Sequence, residues 1–199
     1  MADTQWADFT VDQGIASLVD AAADKHRIPR NVLRAFVIAE SYTGGRVQSG
    51  AHNTSGEDSV GLLQLNRSGG QGAGRSLAEL RDPARNLAIG VPPIARAWAQ
   101  YAELGMTRER VLQTAWHSGH PTEAIEVLDP GSRAHKIAID GGNRIAGVWQ
   151  TLEGVTPTVP SSQADGYRRV FDDASRMVRE RPATAALGAA GVLLLVAVL

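Results

Sequence analysis

Residues 32–41 read VLRAFVIAES, and how this run is interpreted decides the fold. Leu33, Phe36 and Val37 stand at i, i+3 and i+4, one face of an α-helix, and the next position of that series, i+7, is Glu40. An unpaired charge is costly to bury. Either the helix ends and Glu40 escapes to water, or the fold keeps this carboxyl partly desolvated.

The surrounding chain bounds the choice. With 199 residues, a single domain with a real core is the default. The formal net charge of −1 gives no electrostatic basis for nucleic-acid binding. There is no cysteine, which excludes disulfides and thiolate metal sites. The opening MADTQWADFT lacks the basic and apolar regions of a cleavable signal peptide. The stretch from Ala183 to Leu199, ATAALGAAGVLLLVAVL, carries no charge and follows Arg176, Arg179 and Arg181. As a helix it would reach about 25 Å at roughly 1.5 Å per residue, marginal against a hydrocarbon core of about 30 Å. With no polar face at any period, it reads as a transmembrane anchor rather than a core helix.

Periodicity predicts a mostly α fold. A first helix is expected from Val11 to His26 with Ile15, Leu18, Val19 and Ala22 on one side, broken at Ile28-Pro29. Residues 44–56 have loop composition, followed by the apolar VGLLQLN and the glycine-dense RSGGQGAGRS. Asp82-Pro83 supplies a cap and a first-turn proline for a helix that Pro92-Pro93 should interrupt. Further helices are expected after Thr107, from Pro121 to Leu128 and from Ala138 to Leu152, and clean strand alternation is nearly absent. The expected organisation is a catalytic domain over 1–153, a linker over 154–166, an amphipathic helix over 167–182 and the anchor over 183–199.

Four segments recur in a telling order: AES at 39–41, SVGLLQLN at 59–66, LRDPARNLAIG at 80–90 and TAWHSGHP at 114–121. Together they resemble the soluble-lytic-transglycosylase family, relatives of goose-type lysozyme, over roughly residues 15 to 125. The GGQG stretch resembles versions found in phage proteins. The resemblance implies a lysozyme-like helical domain that cleaves the β-1,4 bond between N-acetylmuramic acid and N-acetylglucosamine in peptidoglycan, without a metal or other cofactor. It implies that Glu40 is the catalytic acid and then the base that closes a 1,6-anhydro ring.

The chemistry agrees with that reading. The leaving oxygen must be protonated, and burial among apolar groups raises the pKa of the acid that does so. Ser41, at the helix end, could hydrogen-bond the carboxyl or a sugar. Gly61 would allow close approach to a ring, and the amide of Gln64 can donate and accept at once. Asp82, Pro83 and Asn86 read as structural, and Leu62, Leu63 and Leu65 as core. Trp116-His117 stands where the family has Tyr-Asn; Trp116 offers an aromatic face and His117 a hydrogen bond or a proton. Tyr167 is the best match to the family's later tyrosine. Glu57 and Asp58 are candidates for a second carboxylate, which would make the enzyme a hydrolase, against solvated loop acids otherwise. His117, His120 and Glu123 have a ligand-like spacing that Pro121 breaks, so no metal site is expected.

The partners expected are therefore peptidoglycan strands, a membrane through residues 183–199, and other virion proteins if the chain is a phage product, acting at genome entry or lysis. A non-catalytic, membrane-anchored glycan-binding protein is the reading from another class.

Overall fold

The computed structural model describes residues 2–54, 58–103 and 133–154, with 100–103 and 133–140 described in backbone only. The elements are β1 (Asp3–Trp6), β2 (Phe9–Asp12), α1 (Gln13–His26), α2 (Arg30–Ser41), β3 (Tyr42–Thr43), β4 (Arg46–Val47), β5 (His52–Asn53), β6 (Ser59–Val60), β7 (Leu65–Asn66), α3 (Leu77–Arg81), α4 (Pro83–Glu103) and α5 (Arg133–Leu152). Helices dominate, as the periodicity predicts.

The strands form small antiparallel sheets, β1-β2, β3-β4 and β5-β6-β7, where the sequence reading expects almost none. Five are two residues long, too short for alternation to register. The hairpin of β3 and β4 turns through Gly44 and Gly45 at φ 60° and 81°, the positive pair a type I′ turn requires. The β1-β2 hairpin also moves the start of the first helix. Asp12 ends β2 and caps α1, its Oδ1 accepting from the Gly14 and Ile15 N–H groups.

Helix α2 is the centre of the molecule. Val32, Leu33, Ala35, Phe36, Val37 and Ile38 are all buried, which is burial around most of the helix and not along one stripe. It packs against α1 on one side and α5 on another, while α4 lies against α1. Ala16, Val19 and Ala23 of α1, Val91, Ile94 and Ala97 of α4, and Ile145 and Ala146 of α5 complete this core.

Three expectations about helices are corrected. On α1 the buried line is Ala16, Val19 and Ala23, and Leu18 is exposed, because a turn of about 100° per residue sets Leu18 well to the side of Val19. Pro92 and Pro93 do not interrupt α4, which runs through both. Each proline deletes one intrahelical bond, a cost offset by burial of Val91, Ile94 and Ala97 around them. The last described helix begins at Arg133 and not Ala138. The expected helices after Thr107 and Pro121, residues 155–182 and the apolar stretch 183–199 lie outside the described residues. No helix among the described residues is long and apolar enough to cross a membrane.

Candidate active site

Glu40 sits in the last turn of α2, following the buried run Ala35, Phe36, Val37 and Ile38. Its side chain is 16% exposed, so the carboxyl is neither free in water nor sealed away. Its Oε1 accepts a hydrogen bond from Arg144 Nη2 of α5 at 2.9 Å, across 104 positions of sequence. This ion pair answers the question VLRAFVIAES poses: the acid is largely desolvated and held by a cation.

The pair follows from how α2 and α5 align. At the start of α2, Asn31 donates to the Leu152 carbonyl at 3.4 Å and to Glu153 Oε1 at 3.2 Å. Trp149 Nε1 also donates to Glu153 Oε1, at 3.2 Å. At the end of α2, Glu40 meets Arg144, so the two helices run antiparallel with a polar tie near each end. Ile145 and Ala146 beside Arg144 are buried in the core, which seats its backbone.

Ser41 is buried, and its hydroxyl donates to the Val37 carbonyl at 2.7 Å, a helical back-bond. The Ser41 carbonyl accepts from the Gln48 N–H at 3.0 Å, which ties the β3-β4 hairpin to the helix carrying the acid.

The second and third motifs are one assembly. Asn86 of α4 is fully buried and donates through Nδ2 to the carbonyls of Val60, at 3.0 Å, and Leu80, at 2.9 Å. Its Oδ1 accepts from the Leu63 N–H at 2.9 Å. Asp82 caps α4 by accepting from the Arg85 N–H, and Pro83 opens the helix, so the structural reading of all three residues holds. Gly61, at φ 87°, is required by the packing around it. A Cβ there would lie 2.1 Å from Asn86 Nδ2 and 2.3 Å from the Leu80 carbonyl. Gly90 is less constrained, since a Cβ would meet the end of the Leu63 side chain, Cδ1, at 2.6 Å. The glycines therefore allow backbone and side chains to close upon one another.

Gln64 occupies the left-handed region at φ 43° and braces the turn, donating through Nε2 to the carbonyls of Gly61 at 2.9 Å and Ala51 at 3.2 Å. Leu62 and Leu65 are buried and Leu63 is partly so, as expected of core residues. Leu62 joins the core that surrounds α2, which anchors this turn to the same packing as the acid.

Asp58 is engaged through both oxygens. Oδ1 lies 2.7 Å from His52 Nε2, and Oδ2 accepts from Arg67 Nη1 at 2.6 Å. It is a partly exposed loop acid that is also paired, and it ties β5 to the segment after β7. Glu57, Trp116, His117 and Tyr167 lie outside the described residues, as do His120 and Glu123.

The transglycosylase SLT domain family matches residues 17–138, more than half of the chain. The chain belongs to that family. It is a peptidoglycan lytic transglycosylase with a mostly helical, lysozyme-like SLT domain. Comparison with curated proteins and with solved structures returned no match. The family segment contains Glu40 and the Asn86 assembly, whereas Arg144 follows it on α5. Sequence reasoning missed Arg144, because an arginine at the edge of an amphipathic helix looks like any solvated cation. No local signal could have found it.

Proposed function

We propose that Glu40 is the general acid and base of this transglycosylase and that its product ends in 1,6-anhydro-N-acetylmuramic acid. The observation that carries this reading is the place of Glu40, inside the family segment and at the end of the central helix, with its side chain only 16% exposed. In the first step the Glu40 proton passes to the bridging oxygen as the bond to the anomeric carbon of N-acetylmuramic acid breaks. In the second, the C6 hydroxyl of the same sugar bonds to that carbon and its proton returns to Glu40. No water is consumed and no second carboxylate takes part, which agrees with the double pairing of Asp58. By resemblance, Gly61, Gln64, Trp116, His117 and Tyr167 contribute to the groove around the sugars.

The test is muropeptide mass analysis of purified cell walls digested by the full chain. Anhydro ends are expected from the native protein, and none from a folded Glu40→Gln variant. Products with hydrated reducing ends would replace the transglycosylase mechanism with hydrolysis, and an active Glu40→Gln would remove Glu40 from the reaction.

We also propose that residues 183–199 anchor the enzyme in a membrane, on the strength of their uncharged composition and the arginines before them. Sedimentation of the full chain with lipid vesicles, lost on removal of 183–199, is the expected result. The phage setting, at wall entry or lysis, rests on the GGQG resemblance, and absence of the chain from both phage particles and phage-infected cells would exclude it.

A further inference from the structure

The helix that follows the family segment brings a residue to the acid that the recurring motifs do not include. We propose that Arg144 is a positioning residue for Glu40, a reading that rests on Glu40 being the acid. It holds the carboxyl in the one orientation that serves both proton transfers.

The need comes from the side chain itself. A glutamate has three torsions, and immobilising such a side chain costs rotamer entropy. Both transfers require the carboxyl within hydrogen-bond reach of a sugar oxygen, about 2.6–3.2 Å. Glu40 lies in the last turn of α2. One restraint on its carboxyl comes from another helix. Arg144 Nη2 bonds Oε1 at 2.9 Å, and the arginine is two-thirds covered.

The arginine is in turn held. Ile145 and Ala146 bury the adjoining backbone, and the Asn31 contacts to Leu152 and Glu153 set the register of α5 on α2. A slip of α5 by one residue would rotate Arg144 away by about 100°. The guanidinium also supplies a counter-charge to the carboxylate left once the proton has moved to the leaving oxygen. A planar, permanently charged group suits this role better than a flexible ammonium.

The experiment compares the full-chain native protein with Arg144→Ala, Arg144→Gln, Arg144→Lys and Glu40→Gln, using soluble uncrosslinked glycan strands. Thermal unfolding is recorded beside kcat and KM. A hydrogen bond to a charged group is worth roughly 1.5–3 kcal/mol, or about 10- to 100-fold. Arg144→Ala and Arg144→Gln should lose that factor in kcat, with KM within about twofold. Arg144→Lys should recover only part of it. Millimolar guanidinium should restore turnover to Arg144→Ala and leave Glu40→Gln inactive.

Native kcat in Arg144→Ala beside an inactive Glu40→Gln would overturn the role of Arg144 and leave Glu40 in place. An active Glu40→Gln would instead remove the reading beneath it. Loss of activity that tracks loss of folded protein across the three Arg144 variants, with no guanidinium rescue, would reduce Arg144 to a tie between helices and also overturn the proposal.

Discussion

Replacing Asn86 with alanine should cost more stability than any surface change on the same helix. The side chain is fully buried and satisfies three backbone groups: the carbonyls of Val60 and Leu80 and the N–H of Leu63. The Leu80 carbonyl lies in the last turn of α3, where a helix leaves its carbonyls without internal partners. Each buried group left without a partner costs about 1–3 kcal/mol, and relaxation recovers some of that, so a net loss of about 3–5 kcal/mol is expected. Against a total of roughly 5–15 kcal/mol, this is a large fraction. With a urea slope of about 2 kcal/mol per molar, the unfolding midpoint should fall by about 2 M. Asn86→Asp should be at least as damaging, because it keeps the acceptor for Leu63 but sets oxygen against two carbonyl oxygens. Arg85→Ala, one position away and exposed, should stay within about 0.5 kcal/mol. A midpoint shift below about 0.5 M for Asn86→Ala would refute the reasoning, since it would mean that the three groups find other partners at little cost.

Two further outcomes follow from the ion pairs. Asp58→Asn should keep lytic activity within about threefold and leave the products anhydro, while lowering the melting temperature slightly through the lost pairs to His52 and Arg67. A hundredfold loss of cleavage would make Asp58 the second carboxylate of a hydrolase. The hydrogen bonds that Arg30 donates hold the exposed Asp24 carboxyl below its ordinary value, against a smaller opposing effect of desolvation. The folded-state value is therefore the lower one, so the pair stabilises above the unfolded value of about 3.9 and the benefit is lost as pH falls through the folded value. Asp24→Asn should lower the melting temperature slightly at pH 7, and the difference should shrink near pH 2 and in 1 M salt. A difference that persists at low pH would show that charge is not its source.

What could be read early was what local spacing encodes. The apolar run of α2 marks a helix whatever packs on it, and Asp82-Pro83 marks a helix start because cap and first turn are adjacent in sequence. The structural role of Asn86 was also legible, as a polar residue amid apolar helix positions that must find backbone partners if buried. The two-residue strands were not legible. They are held by partners across hairpins and by ties such as the Gln48 N–H to the Ser41 carbonyl. The back-bond of Ser41 was not legible either, because a hydroxyl at a helix end can face outward or bond back, and only the surrounding burial selects between them.

The sequence by itself determined the family, the central helix and the identity of the candidate acid, because ordered motifs and a 3.6-residue period are properties of neighbours along a chain. Tertiary structure alone decided the company that acid keeps. Arg144 reaches Glu40 only because α5 lies antiparallel along α2, in a register set by Asn31 and by the burial of Ile145 and Ala146. A bond spanning 104 positions leaves no trace in local periodicity, since its geometry exists only once two helices have packed.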